Sequence, residues 1–262
     1  DRLHEVGNDY VYDIEITTNR VDLMSVVGLA LEAAAILPAK LLTNPLETKT
    51  SINLSKTVDY LKVKVDPKLC LRFTAILIQG VFVKPSPARL VKRLELVGMR
   101  GLNNVVDVSN YLMHELGQPV HTFDYDKITK HTMEIRESRK GEKLTTLDNK
   151  THTLQGGDIV IADGSGRLID LCGIMGGANS AVDQNTKNVL LFVQTYEPTH
   201  IRKTSMNLAH RTAAAVLFEK GLPVENVLPT LQQGITLFKK LTGGQIVSPA
   251  IDILNTKPTT KH

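Results

Sequence analysis

Cysteine is scarce: the 262-residue chain has two, Cys70 and Cys172. They lie far apart and form no Cys-x-x-Cys pair. This excludes a disulfide framework and a paired-thiolate zinc site, and fits a reducing compartment, so a cytoplasmic location is expected. Long apolar runs are also missing. The longest, Gly28 to Leu37, is interrupted by Glu32 and is too short for a bilayer. No signal-peptide pattern is present, so no membrane partner is expected. Charge of one sign is in small excess. A net +4 from 31 Lys+Arg and 27 Asp+Glu permits a nucleic-acid partner without requiring one. No internal repeat, low-complexity segment or Gly-Lys-Ser/Thr phosphate loop occurs, and no dinucleotide fingerprint. His114-Glu115 has no second histidine at zinc spacing, so no metal site is expected. Ser165, in Asp-Gly-Ser-Gly, has a turn's surroundings rather than those of a nucleophile elbow.

What is present is ordinary globular composition, 42% hydrophobic and 22% charged. Alternation over residues 10–18 predicts a strand. Asn19 to Leu37 predicts a helix capped near Asn19. Its apolar face is Leu23, Val26, Val27, Ala30, Leu31 and Ala34, and Pro38 stops it. Thr43 to Ser55 is polar and linker-like. Strands follow at Lys62–Asp66 and Arg72–Val83, then a helix capped by Ser86 with Pro87 at its first position, ending at Gly98. A second helix covers Val106–Glu115. From Met133 the chain is strand-rich and broken by glycine turns. Helices then span Pro198–Asn207 and Pro223–Leu241, the last ended by Gly243-Gly244. Strands and helices without regular βαβ alternation predict an α+β fold, with mixed and antiparallel sheets flanked by helices. The chain opens on Asp1 and ends in a polar stretch, Asn255 to His262. It is therefore expected to be a piece of a longer protein. Residues 1–47 would be part of an N-terminal domain, 48–250 the main domain, and 251–262 a connection onward.

The densest candidate site is Asn104-Val-Val-Asp-Val-Ser-Asn110-Tyr111, followed by Gly117-Gln-Pro-Val-His121-Thr-Phe-Asp124. Buried amides and imidazoles need hydrogen-bond partners, so polar groups in this apolar segment predict a pocket that reads a polar ligand. His121, delivered by the Gly-Gln-Pro turn, is the best general base or ligand-reading residue. The glycine-rich run Cys172 to Gly177 is either a tight turn or a place of close ligand approach. Basic residues cluster at Arg89, Lys92, Arg93 and Arg100, and again at Arg202, Lys203 and Arg211. They form either solvated faces or phosphate contacts.

Several motifs stand in order along nearly the whole chain. They are Asp13-Ile-Glu-Ile-Thr-Thr-Asn-Arg-Val-Asp-Leu23 with Gly28-Leu-Ala30, then Asn103 to Asp124, then Gly173-Ile-Met-Gly-Gly177. Arg202-Lys-Thr204 and Phe218-Glu-Lys-Gly221 complete the series. Together they resemble the beta chain of bacterial phenylalanine–tRNA ligase. The resemblance implies the editing-domain fold of that chain, which hydrolyses mischarged tyrosyl-tRNA(Phe). It also implies an α2β2 partnership with an alpha chain that charges tRNA(Phe) using ATP and Mg2+, with no cofactor in this region itself. Asn110, His121, Gly173, Gly176, Phe192, Thr212 and Ala214 fall on the family's pocket positions, and none stands out as a nucleophile. Departures are visible too. Phe192 replaces the usual glutamate, which would read the tyrosine hydroxyl, with an apolar wall. Thr212 to Glu219 lacks a carboxylate, a hydroxyl and a guanidinium found in the family. Three functions stay open: a tyrosyl-tRNA hydrolase, a structural and tRNA-contacting module, and a free-standing protein acting on aminoacyl-tRNA.

Overall fold

The computed structural model describes residues 2–7, 9–47 and 51–256. In chain order the elements are β1 (Arg2–Val6), β2 (Asp9–Asp13), α1 (Val26–Ile36), β3 (Leu54–Ser55), β4 (Lys62–Val65) and β5 (Cys70–Gln79). Then come α2 (Ala88–Leu96), α3 (Val106–Leu116), β6 (Val120–Asp124), β7 (Thr132–Glu137), β8 (Lys143–Thr145) and β9 (Thr151–Thr153). The last are β10 (Ile159–Asp163), β11 (Leu168–Leu171), β12 (Met175–Gly176), β13 (Asn188–Tyr196), α4 (Pro198–Asn207), α5 (Ala213–Phe218), α6 (Val227–Thr242) and β14 (Gln245–Leu254). The fold is α+β, as expected.

Two five-stranded sheets dominate, in the orders β12-β11-β10-β7-β4 and β3-β14-β5-β13-β6. In the second sheet β5 and β13 are buried on both faces, which is why they read as continuous apolar runs rather than alternating ones. Phe73, Ala75, Leu77, Leu190 and Phe192 point to one core, shared with the first sheet. Ile76, Ile78, Leu191 and Val193 point to the other, shared with α3 and α6. The chain is thus layered as helices, sheet, sheet. A buried ion pair, Arg72 Nη2 to Asp252 Oδ2 at 2.8 Å, ties β5 to β14. Arg72 also donates to the Val224 carbonyl at 3.0 Å, fixing the turn before α6.

Several local expectations are corrected. The predicted strand over 10–18 ends at Asp13, because β1 is five residues long and the pairing runs out at Arg2↔Asp13. The helix predicted from Asn19 starts at Val26 after one 3-10 turn. Its cap is Ser25, whose Oγ accepts from Gly28 N at 2.9 Å. Of its predicted apolar face Val27 is buried, while Val26 and Leu31 are exposed. Ser86 does not cap α2. Its hydroxyl donates to Asp107 Oδ2 at 2.6 Å instead, and Pro87 holds the cap position. The last helix starts at Val227 behind the 3-10 turn Val224–Asn226. Part of the predicted linker, residues 48–50, lies outside the described residues, as does most of the polar stretch after Asn255. The stretch Gln245–Leu254 crosses the expected boundary at 250 as one strand.

Candidate functional site

The segment that carries most of the predicted site is anchored by main-chain partners. Asn104 is fully buried. Its Oδ1 accepts from Lys84 N at 3.0 Å, and its Nδ2 donates to the carbonyls of Phe82 and Leu241, both at 2.9 Å. Asp107, also fully buried, accepts from Leu102 N at 2.8 Å and from Ser86. Gln118 Nε2 donates to the Gln194 carbonyl at 2.8 Å, locking the turn into β6 against β13. Asp124 accepts from Thr186 Oγ1 at 2.7 Å. The polar groups that suggested a ligand pocket therefore mostly staple α3 and β6 to the second sheet. Their burial is offset by main-chain and side-chain partners, except at Gln118 Oε1, which has none.

His121 is the exception. It sits on β6 directly opposite Phe192, with its ring edge-on to Phe123 at a 4.5 Å centroid distance. Burial pushes its pKa down to about 4, so the imidazole is neutral at pH 7. Its other neighbour is the glycine loop. A β-carbon at Gly176 would lie 2.5 and 2.6 Å from His121 Cε1 and Nε2, so glycine is required for the ring to sit there. Gly173 has φ +70°, and a β-carbon there would lie 2.8 Å from Ile201 Cδ1.

His121 and this loop enclose a cavity of about 70 Å³ between β6, β11, β13 and α5. Gly173, Gly176 and Ala214 line it with His121. Thr212 does not line it. It positions the loop instead: its Oγ1 donates to the Ile174 carbonyl at 2.9 Å and accepts from Ala215 N at 3.1 Å, capping α5. Asn110, half-buried on α3, is not among the lining residues. Nor is Phe192: its ring is fully buried between Phe73 and Phe123, at 5.0 and 5.8 Å centroid distances. It is a core side chain under the cavity rather than its wall. The loop also offers fewer free donors than its glycines suggest. The N–H groups of Cys172, Ile174 and Gly177 are bonded to the carbonyls of Ile159, Leu171 and Ile169.

Two lining residues escaped the sequence reading, Asp170 on β11 and Gln194 on β13. Asp170 is 4% exposed, and burial pushes its carboxyl up to about 7, against a hydrogen bond with the Cys172 thiol. Gln194 is 3% exposed and its Oε1 has no hydrogen-bond partner. A signal was available for Asp170, the one polar residue of the apolar strand Leu168–Leu171.

The basic residues are all on the surface. Arg89, Lys92, Arg93 and Arg100 are exposed, and Arg93 donates to the Tyr111 hydroxyl at 2.7 Å. Arg202 and Lys203 are exposed on α4, while Arg211 pairs with Glu219 at 2.7 Å. Among the described residues no cluster of three or more His, Cys, Asp or Glu is arranged for a metal ion. No helix among them is long and apolar enough to cross a membrane.

This two-sheet α+β body matches a described family. The B3/4 domain model matches residues 69–243, and the chain belongs to that family. Its sequence is similar to the phenylalanine–tRNA ligase beta subunit of Geobacter sulfurreducens, 41% identical over 252 residues, covering 95% of this chain and 31% of that subunit. It is also similar to the same subunit of Syntrophus aciditrophicus, 40% identical over 250 residues, covering 93% of this chain and 30% of the subunit. The chain thus spans about a third of the length of these curated relatives. In structure it is similar to an N-terminal fragment of the phenylalanyl-tRNA synthetase beta subunit from Pyrococcus horikoshii. The TM-score is 0.50 at 19% identity, covering 97% of this chain and 69% of that one, a likeness of fold. The resemblance carried by short motifs therefore extends over nearly the whole chain, which is homologous to the B3/4 region of the beta subunit.

Proposed function

We propose that this chain is the editing region of a phenylalanine–tRNA ligase beta subunit, and that its His121 cavity is where a wrongly attached aminoacyl ester is hydrolysed. The observation that carries this is convergence. His121, Gly173, Gly176 and Ala214 come from three separate segments and line one cavity. The motif resemblance had assigned all four to a common pocket.

The chemistry follows from these side chains. Water adds to the ester carbonyl, the acyl–oxygen bond breaks, and a proton passes to the departing ribose oxygen. A neutral imidazole with a pKa near 4 is too weak a base to hold a proton at pH 7. His121 therefore orients water or ester by hydrogen bonding, and the vicinal ribose hydroxyl serves as proton acceptor and donor. The small cavity accepts the tip of an amino-acid side chain, while the adenosine lies outside it. ATP and Mg2+ belong to the charging reaction of the alpha chain, and no step here passes through them. Arg89, Lys92, Arg202 and Lys203, exposed on two helices, are the candidate contacts to the tRNA phosphates.

The test is deacylation of tyrosyl-tRNA(Phe) by the α2β2 synthetase carrying this chain. Hydrolysis well above the spontaneous rate, falling at least tenfold in His121→Ala, is the expected result. Wild-type hydrolysis no faster than the spontaneous rate would favour a structural and tRNA-contacting module instead.

A further inference from the structure

The Phe192 ring presents no acceptor to the cavity, yet the cavity has a polar floor. Asp170 and Gln194 lie on neighbouring walls of it, each more than nine-tenths buried. The Gln194 Oε1 has no hydrogen-bond partner within the protein, an arrangement that costs about 1–3 kcal/mol unless a ligand supplies a donor. The Asp170 carboxyl lines the same cavity and is hydrogen-bonded to the Cys172 thiol, a weak donor. Apart from the neutral His121 ring, the remaining side chains of the lining are apolar, including Val120, Ile174 and Phe218. A cationic tip would lose its hydration at a large cost in such a site, whereas a neutral hydroxyl loses far less and recovers it by donating to these acceptors. A cavity of about 70 Å³ fits a hydroxyl and the carbons next to it.

We propose that Asp170 and Gln194 are the specificity-determining pair of this cavity, accepting a hydrogen bond from a hydroxyl on the side chain of the aminoacyl group. The inference rests on the editing function proposed above but assigns side-chain recognition to residues outside the resemblance motifs. Phe192 then packs in the core next to this site, its ring tilted against Phe123. A site that hydrogen-bonds a substrate hydroxyl rejects the analogue lacking it, by as much as roughly 10⁴–10⁵-fold in the best cases.

Equilibrium binding tests this without needing hydrolysis. The probes are the non-hydrolysable amides 3′-tyrosylamino- and 3′-phenylalanylamino-3′-deoxyadenosine, titrated into the α2β2 synthetase with its aminoacylation pocket saturated by a phenylalanyl-adenylate analogue. The expected result is at least tenfold tighter binding of the tyrosyl amide. That ratio should collapse toward one in Asp170→Ala and lie between in Asp170→Asn, which keeps an uncharged acceptor. Asp170→Asn also carries the test if the alanine variant does not fold. Equal binding of both amides to the wild type, no binding of either, or a ratio unmoved by the folded Asp170 variants would overturn the proposal. A ratio that collapses in an enzyme with no deacylation of tyrosyl-tRNA would uphold this pair and overturn only the hydrolytic role.

Discussion

At the residue scale, the cavity holds two titratable groups shifted in opposite directions, His121 down to about 4 and Asp170 up to about 7. Burial disfavours the charged form of each, so the imidazole is neutral at pH 7 while the Asp170 carboxyl is about half protonated there. For Asp170 the consequence for stability has a definite sign. Its folded pKa is raised above the ordinary 3.8, so its contribution is fully present below pH 4 and is lost as pH rises through 7. Asp170→Asn should therefore stabilise the chain more at pH 8 than at pH 5, by up to about 3 kcal/mol for the two pH units between 5 and the folded pKa. Urea unfolding of wild type and variant at the two pH values checks this, and a stability difference independent of pH would contradict it. Residues recognisable by motif, His121 and the two glycines, were legible in the sequence because their local geometry is dictated by close approach. Phe192 was less legible. It shares a face of β13 with Gln194 and stands opposite His121, yet its ring packs between Phe73 and Phe123 instead of lining the cavity, and strand alternation does not reveal that depth. Replacing Phe192 with glutamate would bury a carboxylate between the Phe73 and Phe123 rings rather than rebuild a recognition group.

At the element scale, helices with clear ends were legible: α3, α4 and the glycine stop after α6 stand within a residue or two of expectation. Less legible were elements whose limits depend on a partner. β2 stops where β1 does, and Ser86 bonds Asp107 across a loop instead of capping its own helix. The polar cost of the Asn104–Asp124 segment was legible, but its resolution was not. Sequence alone does not distinguish an amide that awaits a ligand from one that staples distant main-chain atoms. Asn104 is of the second kind, joining the loop after β5, the loop before α3 and the end of α6 through three hydrogen bonds. Asn104→Ala should cost about 3 kcal/mol of unfolding free energy by leaving buried backbone groups unpaired. Chemical denaturation measures it, and a loss under 1 kcal/mol would show that the staple is dispensable.

At the scale of the whole molecule, the two sheets bring β6, β11, β13 and α5 to one point, although His121 and Ala214 are far apart in the chain. The family fold accounts for that meeting, and the residue types at it account for the proposed chemistry: a neutral imidazole, a glycine that lets it stand, and a floor of acceptors. The most direct measurement is single-turnover deacylation of tyrosyl-tRNA(Phe) by the α2β2 synthetase with Gly176→Ala. A methyl group there would lie 2.5 Å from the His121 ring and must displace it. The account predicts that hydrolysis falls to near the spontaneous rate while phenylalanine charging is retained. Hydrolysis at the wild-type rate in the folded variant would contradict it.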